Sequence, residues 1–347
     1  MWLPMYRRGR TLLASGRFDL VYFSTTAFNF FSFGPLWRSK FGVPYALDFQ
    51  DPWVLPAHRY RGRGWKARLS AWLDPRLEKK AVREAAGLIA VSETYIATLK
   101  RRYHKHSPAW LKAGRHAVIP FAAEERDLIE AGRAHCHARE ANGRELVLLY
   151  VGDGPTRERS FSLICHALAR LRSRGCELAP RVHIRLFGTG RPGKHDQHPV
   201  LKAAARGAGI GDLVEEQPRR VPYRRALDLI LRSRGLLILG ADDSGYVPSK
   251  LFGCALSGKP LLACLRRDGP AYALFQSEPR LGHALWFDQT ATMPHDEAAA
   301  VCGKFLKEAA AGVTFDRRPL LTAHLAPAMA QRHVELFQAC LNRGTAR

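Results

Sequence analysis

The chain has 347 residues, 46% of them hydrophobic, with 54 Lys and Arg against 31 Asp and Glu and a formal net charge of +23. That length points to two domains, and the composition excludes a disordered or collagen-like chain. The charge points to a polyanionic neighbour: a phosphorylated substrate, anionic lipid or nucleic acid. No stretch approaches about 18 consecutive apolar residues, so no spanning helix is expected. The opening Met1–Arg8 lacks the apolar core and cleavage site of a secretion signal. Seven scattered cysteines with no Cys-x-x-Cys pair fit reduced thiols of a cytosolic protein better than a disulfide framework.

Short apolar runs alternate with amphipathic helical patterns along the chain, as in α/β proteins with parallel sheets. Strands are expected at 19–24, 43–49, 87–91, 117–121, 145–151, 182–187, 213–216, 235–239, 260–264 and 284–287. Helices are expected between most of them, for example at 64–86, 93–103, 161–173, 200–207, 223–233 and 297–311, with a last long one at roughly 320–341. The polar stretch 126–144 separates two halves. This places a first domain at 1–138, a second at 139–325 and a terminal helix at 326–347.

The first chemistry-bearing segment ends the strand at 43–49. In Val43-Pro-Tyr-Ala-Leu-Asp-Phe-Gln-Asp-Pro-Trp53, Asp48 and Asp51 lie at the strand's carboxyl end, where open α/β sheets bind ligands. Each is a candidate for handling a substrate hydroxyl, and each could instead cap the next turn through local backbone bonds. The run His58–Arg68 interleaves cations with aromatics. It suits a membrane face or phospholipid-linked ligand, single-stranded nucleic acid, or a plain solvated loop. Phe28–Phe33 is read as helix core packed on the sheet rather than an anchor in a bilayer. His135-Cys136-His137 is not read as a metal site, because adjacent side chains diverge and no second ligand pair stands at metal spacing.

In the second half, Tyr150-Val-Gly-Asp-Gly-Pro-Thr-Arg-Glu-Arg159 follows a strand. Gly152 and Gly154 let the backbone approach a ligand closely, and Arg157 and Arg159 offer charge-assisted hydrogen bonds to phosphate oxygens. The alternative is a solvated turn. Gly188–Gly193 formally fits Gly-x-Gly-x-x-Gly. However, Pro192 and the polar run Lys194–His198 stop a helix from starting where a pyrophosphate needs one. Gly245–Ala263 is the most informative stretch. A helix expected from Pro248 to Gly258 would present free backbone N–H groups, the Ser249 hydroxyl and the Lys250 cation at one point, a seat for a diphosphate. Neither a Walker phosphate loop nor a Gly-x-Ser-x-Gly elbow occurs, so nucleotide hydrolysis and esterase chemistry have no support.

These segments, in this order, resemble glycosyltransferase family 4, retaining enzymes of the GT-B fold. The family's donor element reads Pro-Ser-Lys-Leu, then Glu-Tyr-Leu-Ala-Ala-Gly-Lys-Pro, and Pro248–Pro260 is similar to it. Asp48–Trp53 resembles its Asp-Phe-Arg-Asp-Pro-Trp stretch, with Gln50 in place of Arg. Ile89–Glu93 resembles the strand and turn that end its N-terminal domain. The resemblance implies two Rossmann-like doubly wound domains facing a cleft, with the last helix returning to the first domain. It implies a nucleotide-diphosphate sugar as donor substrate, with no cofactor and no metal. Asp51, with Asp48 beside it, would orient or deprotonate the acceptor hydroxyl at the cleft. Gly152, Gly154, Arg157, Arg159, Pro248, Ser249, Lys250 and Leu251 would hold the donor diphosphate. Gly188 would line the nucleotide pocket, and Val221 and Pro222 would touch the base through backbone groups. The arginines are spaced differently from the family's Arg and Lys, so either could be the equivalent.

The family's two glutamates, eight positions apart, fall on Gly245 and Gly253 here. Asp242 and Asp243 stand just upstream as candidates to reach the sugar hydroxyls instead. Because 19–24 resembles the fourth strand of such an N-terminal domain, roughly 80–100 residues of earlier strand–helix units are expected to be missing. That would leave the first domain incomplete, with an exposed apolar sheet edge. The expected activity is sugar transfer to a cell-surface polysaccharide or lipid-linked saccharide, by a cytoplasmic enzyme at the inner face of the plasma membrane. The rival readings are an inactive GT-B remnant or subunit that binds a partner, and a basic nucleic-acid-binding protein. Charge alone speaks for the last, and nucleic acid is not the expected partner.

Overall fold

The computed structural model describes residues 2–55, 64–135, 145–190 and 199–342. In chain order the helices and strands are α1 (Trp2–Leu13), β1 (Val21–Ser24), α2 (Phe33–Phe41), β2 (Tyr45–Phe49), α3 (Gly64–Glu84), β3 (Gly87–Ala90), α4 (Glu93–Tyr103), α5 (Ala109–Lys112) and β4 (His116–Val118). They continue as α6 (Glu125–His135), β5 (Leu146–Val151), α7 (Glu158–Ser173), β6 (Val182–Phe187), α8 (Val200–Gly207), β7 (Val214–Gln217), α9 (Tyr223–Arg232) and β8 (Gly235–Leu239). The last elements are α10 (Leu251–Leu256), β9 (Leu261–Arg266), α11 (Pro270–Ser277), β10 (His283–Phe287), α12 (His295–Ala311) and α13 (Ala326–Leu341). The chain divides into two compact units, Met1–Pro120 with Pro327–Arg347, and Phe121–Ala326.

In the first unit four parallel strands lie in the order β1-β2-β3-β4. β2 and β3 are buried along their whole length, as befits parallel strands covered on both faces. Leu336 and Cys340 of α13 pack against Ala86, Ile89 and Ile119. The edge strand β1 alternates faces. Phe23 is buried and stacks on Trp37 of α2, while Tyr22 lies against Phe337 of α13. Phe31 and Phe33 are fully buried, so the apolar group at 28–33 is core.

In the second unit six parallel strands lie in the order β10-β9-β8-β5-β6-β7. Counted within the unit, this is the doubly wound order 3-2-1-4-5-6 read from the β7 edge. One face packs Phe161, Ile164, Ile184 and Phe305 around α7 and α12. The other packs Leu251, Phe252, Ile238 and Phe275 around α10 and α11.

All ten expected strands are present, and Val182–Phe187 and Gly235–Leu239 have the expected ends. Of the helices longer than one turn, α1 and α6 were not expected; α2 and α11 lie between expected strands, where helices were expected without bounds. α6 lies inside the stretch read as a linker. Its sequence is rich in charge and none of its described side chains is fully buried, so its few apolar residues were passed over. The expected break at 138 falls outside the described residues, and the division between units comes earlier, at Pro120. The terminal helix begins at Ala326, because residues 318–324 form two 3-10 turns first.

Candidate functional site

The order of the second sheet reverses between β5 and β8. Open α/β sheets bind ligands outside the carboxyl ends of the strands at such a switch point. Two loops meet there: Gly152–Arg157, leading from β5 to α7, and Gly240–Lys250, leading from β8 to α10.

Backbone contacts hold the first loop. The Gly152 N–H donates to Phe187 O and the Gly154 N–H to Thr189 O, both at 2.9 Å. A Cβ on Gly154 would lie 2.6 Å from that Thr189 oxygen, and one on Gly152 would lie 2.5 Å from the Tyr150 hydroxyl. Both glycines are thus required by the protein's own packing. The Arg157 side chain is buried at 7% exposure. Its guanidinium lies over the Tyr246 ring, 4.3 Å from the centroid. Its Nη1 donates to Thr156 Oγ1 at 2.7 Å, and its buried Nε has no hydrogen-bond partner.

Lys250 joins this arginine. Desolvation, and then the positive charges of Arg220 and Arg157, push its ammonium below the ordinary lysine value, although the side chain stays open to solvent. Lys250 thus feels two further cations, and that repulsion costs free energy until an anion joins it. Arg220 is brought in by the turn at Gly188, whose φ is +73° and whose N–H donates to Gln217 O at 2.9 Å. Val221 packs in the apolar layer with Val151 and Phe187, and the Pro222 carbonyl accepts the first bond of α9.

The other expected donor residues are placed differently. Arg159 turns to the loop after β10, with its guanidinium at 3.3 Å from Gln289 O and 3.4 Å from Ala291 O. Of the two arginines left open, only Arg157 stands with Lys250. The expected helix start at Pro248 is displaced. Residues 248–251 form a tight turn in which the Leu251 N–H reaches Pro248 O at 3.0 Å. The helix proper is the six-residue α10, with Lys250 as its N-cap. Cations rather than a helix end therefore dominate this point. Ser249 is exposed beside Lys250. Leu251 is fully buried in the core and positions Lys250 from beneath.

The two aspartates upstream help build their own loop. Asp243 accepts the Gly245 N–H at 2.9 Å. Asp242 takes Arg266 Nη1 at 2.7 Å, and the same buried arginine grips Asp268 at 2.6 Å. Sequence reasoning missed Arg266, Arg220, Thr156 and Tyr246. An arginine closing the apolar strand Leu261–Arg266 was the signal for the first, and the Arg219-Arg220 pair before Val-Pro for the second. Residues 191–193 of the glycine motif and the run 194–198 lie outside the described residues. So do 58–63 of the basic–aromatic run, Cys136 and His137, and the side chain of His135.

In the first unit the carboxylates are held otherwise. Asp48 Oδ2 accepts hydrogen bonds from the Tyr22 hydroxyl at 2.8 Å, the Ser24 hydroxyl at 2.9 Å and the Gln50 amide at 3.4 Å. Gln50 also donates to Ser24 Oγ at 2.8 Å. The Tyr22 hydroxyl meets His333 Nε2 of α13 at 3.1 Å. Burial, and then the Asp48 charge, push the Tyr22 phenol well above its ordinary value. Asp48 is thus a joint between β1 and β2, linked through Tyr22 to α13. Asp51 lies beyond it in the exposed turn. Trp53 is buried against Phe28 and Phe31. The next backbone N–H, of Val54, donates to the buried Glu78 at 3.2 Å, which also takes the Tyr103 hydroxyl at 2.6 Å.

With this geometry in place, comparison with known proteins is informative. Residues 1–122 match the glycosyl transferase 4-like domain. Sucrose-phosphate synthase from Thermosynechococcus elongatus superposes with a TM-score of 0.63 at 14% identity, over 97% of this chain and 77% of that one. The Anabaena protein HepE, in complex with UDP, gives 0.62 at 14% identity over 97% and 82%. A UDP-forming α,α-trehalose-phosphate synthase from Burkholderia vietnamiensis gives 0.61 at 13% identity over 96% and 77%. No curated protein matches the chain in sequence. At these identities the structural likeness carries the fold, and that fold is GT-B.

Proposed function

Taking the chain as a GT-B glycosyltransferase with a glycosyl transferase 4-like domain at residues 1–122, we propose that it moves a sugar from a nucleotide-diphosphate donor to a saccharide acceptor of the cell surface or of a lipid carrier, with retention. The observation that carries this reading is the cluster of Arg157, Arg220 and Lys250 at the β5/β8 switch point. It combines a buried guanidinium nitrogen without a partner and an ammonium with a weakened hold on its proton. A diphosphate seated there would restore that hold and take charge-assisted hydrogen bonds from all three. As the glycosidic bond breaks, negative charge builds on the departing diphosphate, and preorganised cations stabilise that charge. The reading requires no metal, because side chains supply the positive charge. Asp51, beyond the Asp48 joint, would orient the acceptor hydroxyl.

Calorimetric titration with UDP-, GDP-, ADP- and dTDP-sugars tests this, followed by release of the nucleotide in the presence of saccharide acceptors. Micromolar binding of one donor, weakened about tenfold or more in Lys250→Ala, is the expected result. No binding by any of them would sink the proposal. A second reading, a GT-B protein that binds a donor without turning it over, draws on Gly245 and Gly253, on the bond of Asp242 to Arg266 and on that of Asp243 to the Gly245 N–H. Tight binding with no nucleotide release would favour it.

A further inference from the structure

Helix α3 of the first unit has a surface that the transfer chemistry does not use. Trp65 is 70% exposed, Leu69 49% and Trp72 57%. At 100° per residue these three fall within a narrow arc, so they form one apolar stripe along the helix. Past Gly64, every other exposed residue of α3 is a Lys or an Arg. Lys66 and Arg68 flank the stripe, and Arg76, Lys80 and Arg83 continue its face toward the C-terminal end. Arg76 lies over the Trp72 ring at 4.2 Å and Lys66 over the Trp65 ring at 5.8 Å. Of the three acids on α3, Glu84 is half-buried at its end beside Tyr45. Glu78 is buried and paired with Arg102, and Asp74 is hydrogen-bonded by Trp53.

We propose that this face of α3 docks the protein on an anionic lipid surface, with Trp65, Leu69 and Trp72 entering the headgroup region and the flanking cations meeting lipid phosphates. Two exposed indoles on one stripe match the boundary between acyl chains and water, where an aromatic ring with one polar atom is best solvated. Long basic side chains beside them reach upward to phosphates while their stems cover apolar surface. A second copy of the chain is a poor occupant, because apposing two such faces would bring their arginines and lysines together. Single-stranded nucleic acid offers the same charge but does not call for the aliphatic Leu69 between the rings. The docking surface stands on α3 alone, so its test needs neither donor nor acceptor.

The full chain is floated with vesicles of phosphatidylcholine mixed with phosphatidylglycerol, and with vesicles of phosphatidylcholine alone. Binding to the mixed vesicles only, released by raised salt, is expected. The double variant Trp65→Ser, Trp72→Ser should bind about tenfold more weakly or worse, and Lys66→Gln, Arg68→Gln should also bind more weakly. All four positions are exposed, so the melting temperature should hold, and a blue shift of tryptophan emission on vesicles should disappear in the Trp variant. Equal binding to both vesicle types, no binding to either, or undiminished binding of the Trp variant would overturn the proposal. So would tighter, tryptophan-dependent binding of single-stranded RNA, or a dimer in sedimentation that the Trp variant dissolves.

Discussion

At the carboxyl end of β2, one Asp48 oxygen is met by three donors, and each donor belongs to the first unit's own scaffold. At the carboxyl end of β5, Lys250 lies within electrostatic reach of Arg157 and Arg220, and desolvation first, then those two charges, loosen its hold on its proton. The strand orders differ in the same sense. The first sheet runs in sequence order from β1 to β4, whereas the second reverses between β5 and β8. A satisfied polar cluster is what folding selects when a group's role is to join elements. Like charges left facing one another are what binding selects, because the energy missing in the free protein is recovered with the ligand. The difference separates a carboxylate that builds the first unit from cations that, in the proposed reading, would meet the donor diphosphate.

The hardest test of that contrast is Arg157→Met. It keeps much of the stem's apolar contact and removes the guanidinium. Turnover should fall about 100-fold or more if this charge stabilises a departing diphosphate. Stability should fall by only about 1 kcal/mol, for the lost packing on Tyr246. Undiminished turnover would break the comparison at its stronger end.

The next effect is one of pH. The desolvated ammonium of Lys250, beside Arg220 and Arg157, loses its proton below the ordinary lysine value of about 10.4. Donor affinity should therefore hold at neutral pH and decline on the alkaline side before an ordinary lysine would titrate. The Lys250→Arg variant should keep its affinity there. The stability effect has the opposite sense. The folded, unliganded chain has the lower Lys250 pKa, so the unfolded chain binds more protons in the window between the two values. Stability is then greatest above the unfolded value and is lost as pH falls through the folded one. Bound nucleotide should flatten that dependence. Melting curves with and without donor measure both, and parallel curves for wild type and Lys250→Arg would remove Lys250 from the anion seat.

On the first unit the contrast predicts a split between neighbours. Asp48→Asn should cost about 1–3 kcal/mol, because a neutral amide oxygen is a weaker acceptor than the carboxylate for the Tyr22, Ser24 and Gln50 donors, and the amide adds two hydrogens that need acceptors. Asp51→Asn should leave the melting temperature in place and slow transfer about tenfold or more, if Asp51 handles the acceptor hydroxyl. If Asp48→Asn spared stability and abolished turnover, the joint would be the chemistry.

The strands were legible because buried parallel strands are unbroken apolar runs between Gly and Pro, a signal contained in each run itself. α1 was not legible, since Leu13 is its one buried residue. Nor were the bounds of α2, where Phe33-Gly-Pro hides the helical period. In the candidate site, Arg157 and Lys250 could be named in advance because a glycine loop after a strand and a Pro-Ser-Lys turn are local patterns. Arg220 was harder, because the Arg219-Arg220 pair reaches Lys250 only when the order β8-β5-β6 brings its loop there; Thr156 and Tyr246 stand on the two named loops, but no local pattern marks them as partners of Arg157. The partners of Asp48 were hidden for the same reason, since Tyr22, Ser24 and His333 come from β1 and α13.

The smallest predicted effect sharpens the contrast most. Gly253 lies on α10, three residues past Lys250, and a Cβ there would meet nothing within 4 Å. The resemblance to family 4 puts a ribose-binding glutamate at this position. Gly253→Glu should raise stability by about 0.5–1 kcal/mol, since glycine is a poor helix former. A new carboxylate near the Arg157–Lys250 cluster should add a further gain by offsetting like charge. What happens to donor affinity decides where the open side of α10 points. A rise of about three- to tenfold would mean that the carboxylate reaches a sugar hydroxyl and leaves the cations to the diphosphate. A fall, with stability still raised, would mean that the glutamate has taken the anion seat itself. The second unit would then have been satisfied in the way Asp48 satisfies the first, and would bind its ligand less well for that reason.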